Sequence, residues 1–109
     1  MKSFEECLLL DFYGNLLTDR MRDILELYLN DDLSFAEIAN SEEISRQGVH
    51  DTIKRALKQL HDYEEKLGLV ARFSSEKKIV DSAIDLLNDG KAEEAKELLL
   101  NLRNELVTE

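Results

Sequence analysis

The chain has 109 residues, the length of one domain, and carries 24 acidic against 14 basic side chains, a formal charge of −10 that repels phosphate. Proline is absent and glycine limited to four residues, a composition that favours helix nearly everywhere and still lets the chain bury roughly two-thirds of its surface. The apolar run CLLL at 7–10 is far short of the roughly 20 residues of a membrane span, and its acidic flanks with no small-residue cleavage site exclude a signal peptide.

Six helical segments can be read in order. Ser3 with Glu6 reads as a capping box, opening a helix through Tyr13 that stops at Gly14. Thr18 caps a second helix, DRMRDILELYL, with Met21, Ile24, Leu25 and Tyr28 on one face, and NDD at 30–32 breaks it. Ser34 with Glu37 makes a second capping box for a short helix to about Asn40. Ser45 caps a long helix to Leu67, ended by Gly68. Ser75 is expected to cap a helix over 76–88, with Gly90 in the turn and a last helix from about 92 to 106. No strand pattern competes, so the expected class is all-α.

Charge is spread unevenly. Residues 1–44 hold three basic and eleven acidic side chains, whereas residues 45–60 hold Arg46, Lys54, Arg55 and Lys58 against Asp51 alone. This basic island lies on the second half of a helix-turn-helix pattern: FAEIAN turns Ile38 and Ala39 inward, SEEI forms the turn with Ile44 as its plug, and Ser45 opens the second helix. At 100° per residue Val49, Ile53, Ala56, Leu60, Tyr63 and Leu67 fall within about 40° of one line and form the core stripe. Gln47, Asp51, Lys54 and Lys58 fall opposite, flanked by His50, Arg55 and His61, and Arg46 stands beside the cap. Arg46, Gln47, His50, Lys54, Arg55 and Lys58 are therefore the candidate nucleic-acid-binding residues. The same pattern fits the solvent face of a plain helical bundle, so fold and ligand remain separate questions.

Residues 82–102, SAIDLLNDGKAEEAKELLLNL, have the pattern of a tetratricopeptide-like hairpin, and a single copy must bury its face elsewhere. The expected organisation is a helix-turn-helix domain over 1–69 and a C-terminal helical hairpin over 70–109. That hairpin either packs on the same unit or serves a homodimer through Ile84, Leu87, Leu98, Leu99 and Leu102.

Catalytic and metal sites fail inspection. His50 and His61 lie about 16 Å apart along one helix and cannot share a metal. The stretch from Asp85 has Leu87 and Lys96 where a calcium loop needs ligands. Cys7 sits among Glu5, Glu6 and Asp11, a poor setting for a thiolate, and reads as a small core residue in a reducing cytosol. The acidic pairs read as solvated faces and caps. No enzyme, cofactor or metal is expected.

DFYGNLLT (11–18), ELYLNDDLSFAEIA (26–39), SRQGVHDTIKR (45–55) and YEEKLGL (63–69) together resemble the YlxM family of small bacterial helix-turn-helix proteins, over residues 9–69. The resemblance implies a fold like region 4 of bacterial sigma factors, winged-helix-like but without the wing, and an accessory or regulatory role in the signal recognition particle pathway. This sequence departs from the family pattern at Glu42-Glu43 in the turn, at Gly48 in place of Ala, and at His50 in place of an aromatic residue. Three functions follow as expectations. The first is a cytoplasmic accessory protein binding DNA or the particle's RNA through the six residues named above. The second is a protein-interaction module contacting the pathway's GTPase, and the third a dimeric DNA-binding transcription regulator.

Overall fold

A computed structural model describes residues 3–107, and among them there are helices and short connections but no strand. Six α-helices follow one another: α1 Phe4–Tyr13, α2 Asp19–Leu29, α3 Phe35–Glu42, α4 Arg46–Leu67, α5 Leu69–Asn88 and α6 Ala92–Val107. The chain is all-α, as expected. Its described residues form two compact units that divide after Val70.

Side-chain caps start the first four helices where the sequence places them. Ser3, Thr18, Ser34 and Ser45 each accept a hydrogen bond from the backbone N–H three residues on. The box at Ser34 is complete, because the Glu37 carboxylate also accepts from the Ser34 N–H at 2.9 Å. The box expected at Ser3 is only half made. Glu6 N–H donates to Ser3 Oγ, but Glu6 Oε1 is buried without a hydrogen-bond partner. Gly14 also stops α1 in an unexpected way: its φ is −56°, and it opens a 3-10 turn, Gly14–Leu16. A Cβ there would lie 3.0 Å from Leu10 Cδ1, a tight contact that the Leu10 side chain would have to give way to.

In the first unit α4 packs against α1, α2 and α3. Its stripe of Val49, Ile53, Ala56 and Leu60 is at most 5% exposed and meets Leu9, Tyr13, Ile24, Leu25 and Ile38 in one core. Each fully buried Leu, Ile or Val contributes about 1.5–3 kcal/mol, so this stripe dominates the cohesion of the unit. Tyr63 joins the edge of the core, whereas Leu67, expected on the stripe, is 56% exposed. Gly68 ends α4 in the left-handed conformation one residue later.

The start of α5 corrects the expectation at Ser75, which lies inside the helix rather than at its cap. The first amides of α5 are satisfied from other elements. Leu69 N–H donates to Tyr13 Oη at 3.0 Å, Val70 N–H donates to Glu64 Oε1 at 3.0 Å, and the Tyr13 hydroxyl donates to the same Glu64 oxygen. With that tertiary cap in place, no local Ser or Asp is needed to open the helix.

In the second unit, α5 ends at a turn in which Gly90 has φ +77° and Lys91 N–H donates to Leu86 O at 2.8 Å. Ala83, Ala95 and Leu102 are buried. Ile84, Leu87 and Leu99 are 41–53% exposed, while Leu102 is buried and so leaves the surface set expected for a partner.

The Tyr13 phenol is pushed above its ordinary value, first by burial and then by the hydrogen bond to Glu64. A raised value in the folded state means the fold holds the proton longer. The contribution is therefore complete below the ordinary phenol value of 10.0 and is lost as pH rises through and beyond it. Tyr13→Phe, which orphans the Leu69 N–H, is expected to lower unfolding free energy by about 1–3 kcal/mol in urea titrations. The gap between wild type and variant is expected to narrow above about pH 10; a gap that is constant with pH would contradict the assignment.

Candidate nucleic-acid interface

The helix-turn-helix is α3, a three-residue turn and α4. Glu42 ends α3, and Glu43 takes φ 56°, ψ 44°, the left-handed region that costs a β-carbon-bearing residue roughly 1–2 kcal/mol. The strain is offset by hydrogen bonds: the N–H groups of Glu43 and Ile44 both donate to Ala39 O. Arg20, from α2, closes the corner. Its guanidinium donates to Glu42 O at 3.4 Å and lies 3.6 Å from the Glu42 carboxylate, placing a cation at the negative end of α3. Ser45 then turns the chain into α4, accepting from Gly48 N–H at 2.9 Å. A Cβ at position 48 would stand 3.2 Å from Ser45 Oγ, so glycine here gives the cap room at the expense of helix propensity.

All six candidate residues lie on the exposed side of α4. Arg46, Lys54 and Arg55 have no ion-pair partner among the described residues. Lys58 is paired with Asp62 at 3.1 Å in an exposed i, i+4 contact, which is weak and easily exchanged for a phosphate. Gln47 and His50 are already engaged. Gln47 Nε2 donates to Asp51 Oδ1 at 2.9 Å, and His50 Nδ1 lies 3.5 Å from the same oxygen. These two neighbours, Gln47 first, hold the Asp51 carboxyl below its ordinary value, so it is an anion at neutral pH in the middle of the basic face.

Comparison with known proteins decides the lineage. The model of the family UPF0122, "Putative helix-turn-helix protein, YlxM / p13 like", matches residues 1–100. The chain belongs to this family. A UPF0122 protein of Desulforamulus reducens is 50% identical over 98 residues, covering 89% of this chain and 84% of the relative. One from Acetivibrio thermocellus is 53% identical over 91 residues (84% and 75%), and one from Symbiobacterium thermophilum is 39% identical over 98 (90% and 92%). The YlxM resemblance read over residues 9–69 therefore extends through most of the C-terminal hairpin.

Within this YlxM-like chain, two features of the interface escaped the reading of the sequence. Arg20 is remote in sequence from the turn it braces, and only the packing of α2 beside α3 brings it there. The second is a groove beside α4 lined by Glu6, Tyr28, Phe35, His50, Lys54 and Leu57, with Ile53 at its floor. The His50 ring meets Phe35 edge-on at 5.9 Å, and Phe35 meets Tyr28 at 5.3 Å. His50 thus stands at the border of the basic face and an aromatic groove, about half exposed.

Because Glu43 carries the left-handed turn, Glu43→Gly is expected to raise unfolding free energy by about 0.5–1 kcal/mol, the steric relief being partly cancelled by greater freedom of the unfolded chain. Chemical denaturation measures it, and a loss of stability would mean that the Glu43 side chain makes a favourable contact of its own.

Proposed function

We propose that this protein is a non-catalytic, cytoplasmic accessory factor of the signal recognition particle pathway that binds nucleic acid, DNA or the particle's RNA, along α4. The observation that carries the reading is the exposure of Arg46, Lys54 and Arg55, cations without ion-pair partners among the described residues, on the second helix of a helix-turn-helix. Unpaired cations on a rigid helix neutralise phosphates without first breaking a contact, and release of counterions then supplies affinity. Lys58 joins them once Asp62 lets go. The YlxM resemblance supports the assignment to the particle's pathway.

A second reading is favoured by a specific feature. Asp51 sits in the middle of the face, and Glu42 and Glu43 stand at its N-terminal approach, where a phosphate backbone would pass. Anions in those places suit a basic protein surface, such as one on the pathway's GTPase, better than a duplex. The two readings respond oppositely to the same change. Asp51→Asn frees Gln47 and His50 and removes a charge, so nucleic-acid affinity is expected to rise several-fold, whereas affinity for a basic protein partner would fall.

The test of the first reading is fluorescence anisotropy with labelled random duplex DNA and with signal recognition particle RNA, titrated at low and moderate salt. Arg46→Glu with Arg55→Glu is expected to weaken binding at least tenfold at low salt. It should also reduce the slope of log affinity against log salt by about 1 per lost phosphate contact. Both positions are exposed on α4, so thermal unfolding should stay nearly unchanged. Equal affinity and equal slope in the double variant would remove α4 from the interface.

A further inference from the structure

We infer that the exposed apolar sides of α5 and α6 are covered by a second copy of this chain, α5 of each copy lying antiparallel along α6 of the other. The two helices carry matching seams. On α5, Phe73, Val80 and Leu87 recur at intervals of seven residues, with Ile84 beside them; on α6, Ala92, Leu99 and Leu106 do the same. A seven-residue apolar repeat suits one helix packing along another. All of these residues are exposed, the large ones 39–53% so. Leu87 lines one groove with Ala92 and Leu99, which brings the two seams onto a common face where the helices meet. Residues 71–109 form a compact unit of their own. So short a unit, about 40 residues, usually depends on a disulfide, a metal or oligomerisation. The chain's one cysteine is free, and no group of side chains able to hold a metal occurs among the described residues.

Charge selects the occupant. At about 100° per residue, Lys96 and Arg103 lie about 40–60° to one side of Leu99, and Lys77, Asp81 and Asp85 lie about 60–140° to the same side of Val80. When two helices run antiparallel, flanks on the same rotational side of their seams meet. Residue numbers across such a pair keep a constant sum. Setting Leu87 against Ala92 of the second copy therefore also sets Val80 against Leu99 and Phe73 against Leu106. Lys96 then stands level with Ala83, between Asp81 and Asp85 of the second copy. Lys96 and Asp85 have no ion-pair partner among the described residues, and Asp81 holds only the exposed Lys77, at 2.9 Å. Arg103 comes level with Glu76 and beside Lys77, one acid and one base, and so favours no arrangement. Pairing α6 with α6 would crowd Lys96 and Arg103 of both copies onto one edge, and pairing α5 with α5 would leave Lys96 unanswered. The α5–α6 contact occurs twice in a closed two-fold dimer, so one chain supplies both halves of the match.

The experiment is analytical sedimentation of the full chain at low salt over a wide range of concentration. The wild type is expected at twice the chain mass, dissociating on dilution. Lys96→Glu, and separately Asp81→Lys with Asp85→Lys, each bring like charges together on both α5–α6 contacts and are expected to weaken the dimer at least about tenfold. An equimolar mixture of the two variants restores opposite charges on both contacts, native on one and exchanged on the other. It is expected to recover a dimer about as tight as the wild type, and that recovery also shows that both variants fold.

A wild type that stays monomeric throughout overturns the inference. Lys96→Glu that leaves the dimer unchanged, or tightens it, overturns the α5–α6 pairing, as does a mixture that fails to recover. A monomer whose α5 and α6 NMR signals respond instead to an acidic amphipathic peptide would overturn it in favour of a different protein partner.

Discussion

The burial of one side of α4 sets the terms for the first unit. Val49, Ile53, Ala56 and Leu60 lie along the helix at spacings of three and four, and α1, α2 and α3 each pack against that line. With the stripe committed inward, the residues on the opposite side of α4 are left to solvent. The same periodicity that closes the core therefore exposes Arg46, Gln47, Lys54, Arg55 and Lys58. Ala56 and Ala39, both buried, keep helix separations small where larger side chains would push α3 and α4 apart. The angle at which α4 leaves the turn is held by a different set of contacts: Glu43 in its left-handed conformation, Ile44 against the core and Arg20 across the end of α3.

Much of this was legible from the sequence, and the reasons are local. The caps at Thr18, Ser34 and Ser45 and the inward stripe of α4 all follow from a few residues and a helical period. What was not legible depends on distant partners. Ser75 reads as a helix start because nothing near Leu69 in sequence can cap a helix. The cap comes from Tyr13, 56 positions earlier, and from Glu64. Glu6 fits the spacing of a capping box, yet its Oε1 is buried without a hydrogen-bond partner instead of accepting from the Ser3 backbone. Leu67 and Leu102 were placed by periodicity alone, which says which side a residue faces but not whether another element stands there. Leu67 is exposed and Leu102 buried.

The Tyr13–Glu64 pair also shows how a buried hydroxyl can join elements. One phenol oxygen donates to a carboxylate and accepts from an amide, and one carboxylate oxygen accepts from both the phenol and a second amide. Each polar atom in the cluster answers another, so its burial is compensated, and the start of α5 is tied to α1 and α4 without a local capping residue. The contrast with Glu6 is instructive. A carboxylate oxygen buried in a described part of the same unit, with no such compensation, stands out because the rest of the interior leaves so little polar surface unanswered.

Net charge and local charge ask different things of this protein. Charges more than about 8 Å from a contact are largely screened at physiological salt. The acidic excess of residues 1–44 therefore bears on long-range approach more than on a strand already lying on α4. What such a strand meets is Arg46, Lys54, Arg55 and Lys58, with Asp51 among them. A chain at −10 with this small basic face gains little from indiscriminate phosphate attraction. Affinity in the proposed contact would then have to come from fit, such as a register fixed by a rigid helix. For the proposed contact along α4, an excess of acid outside the face thus favours selectivity over strength.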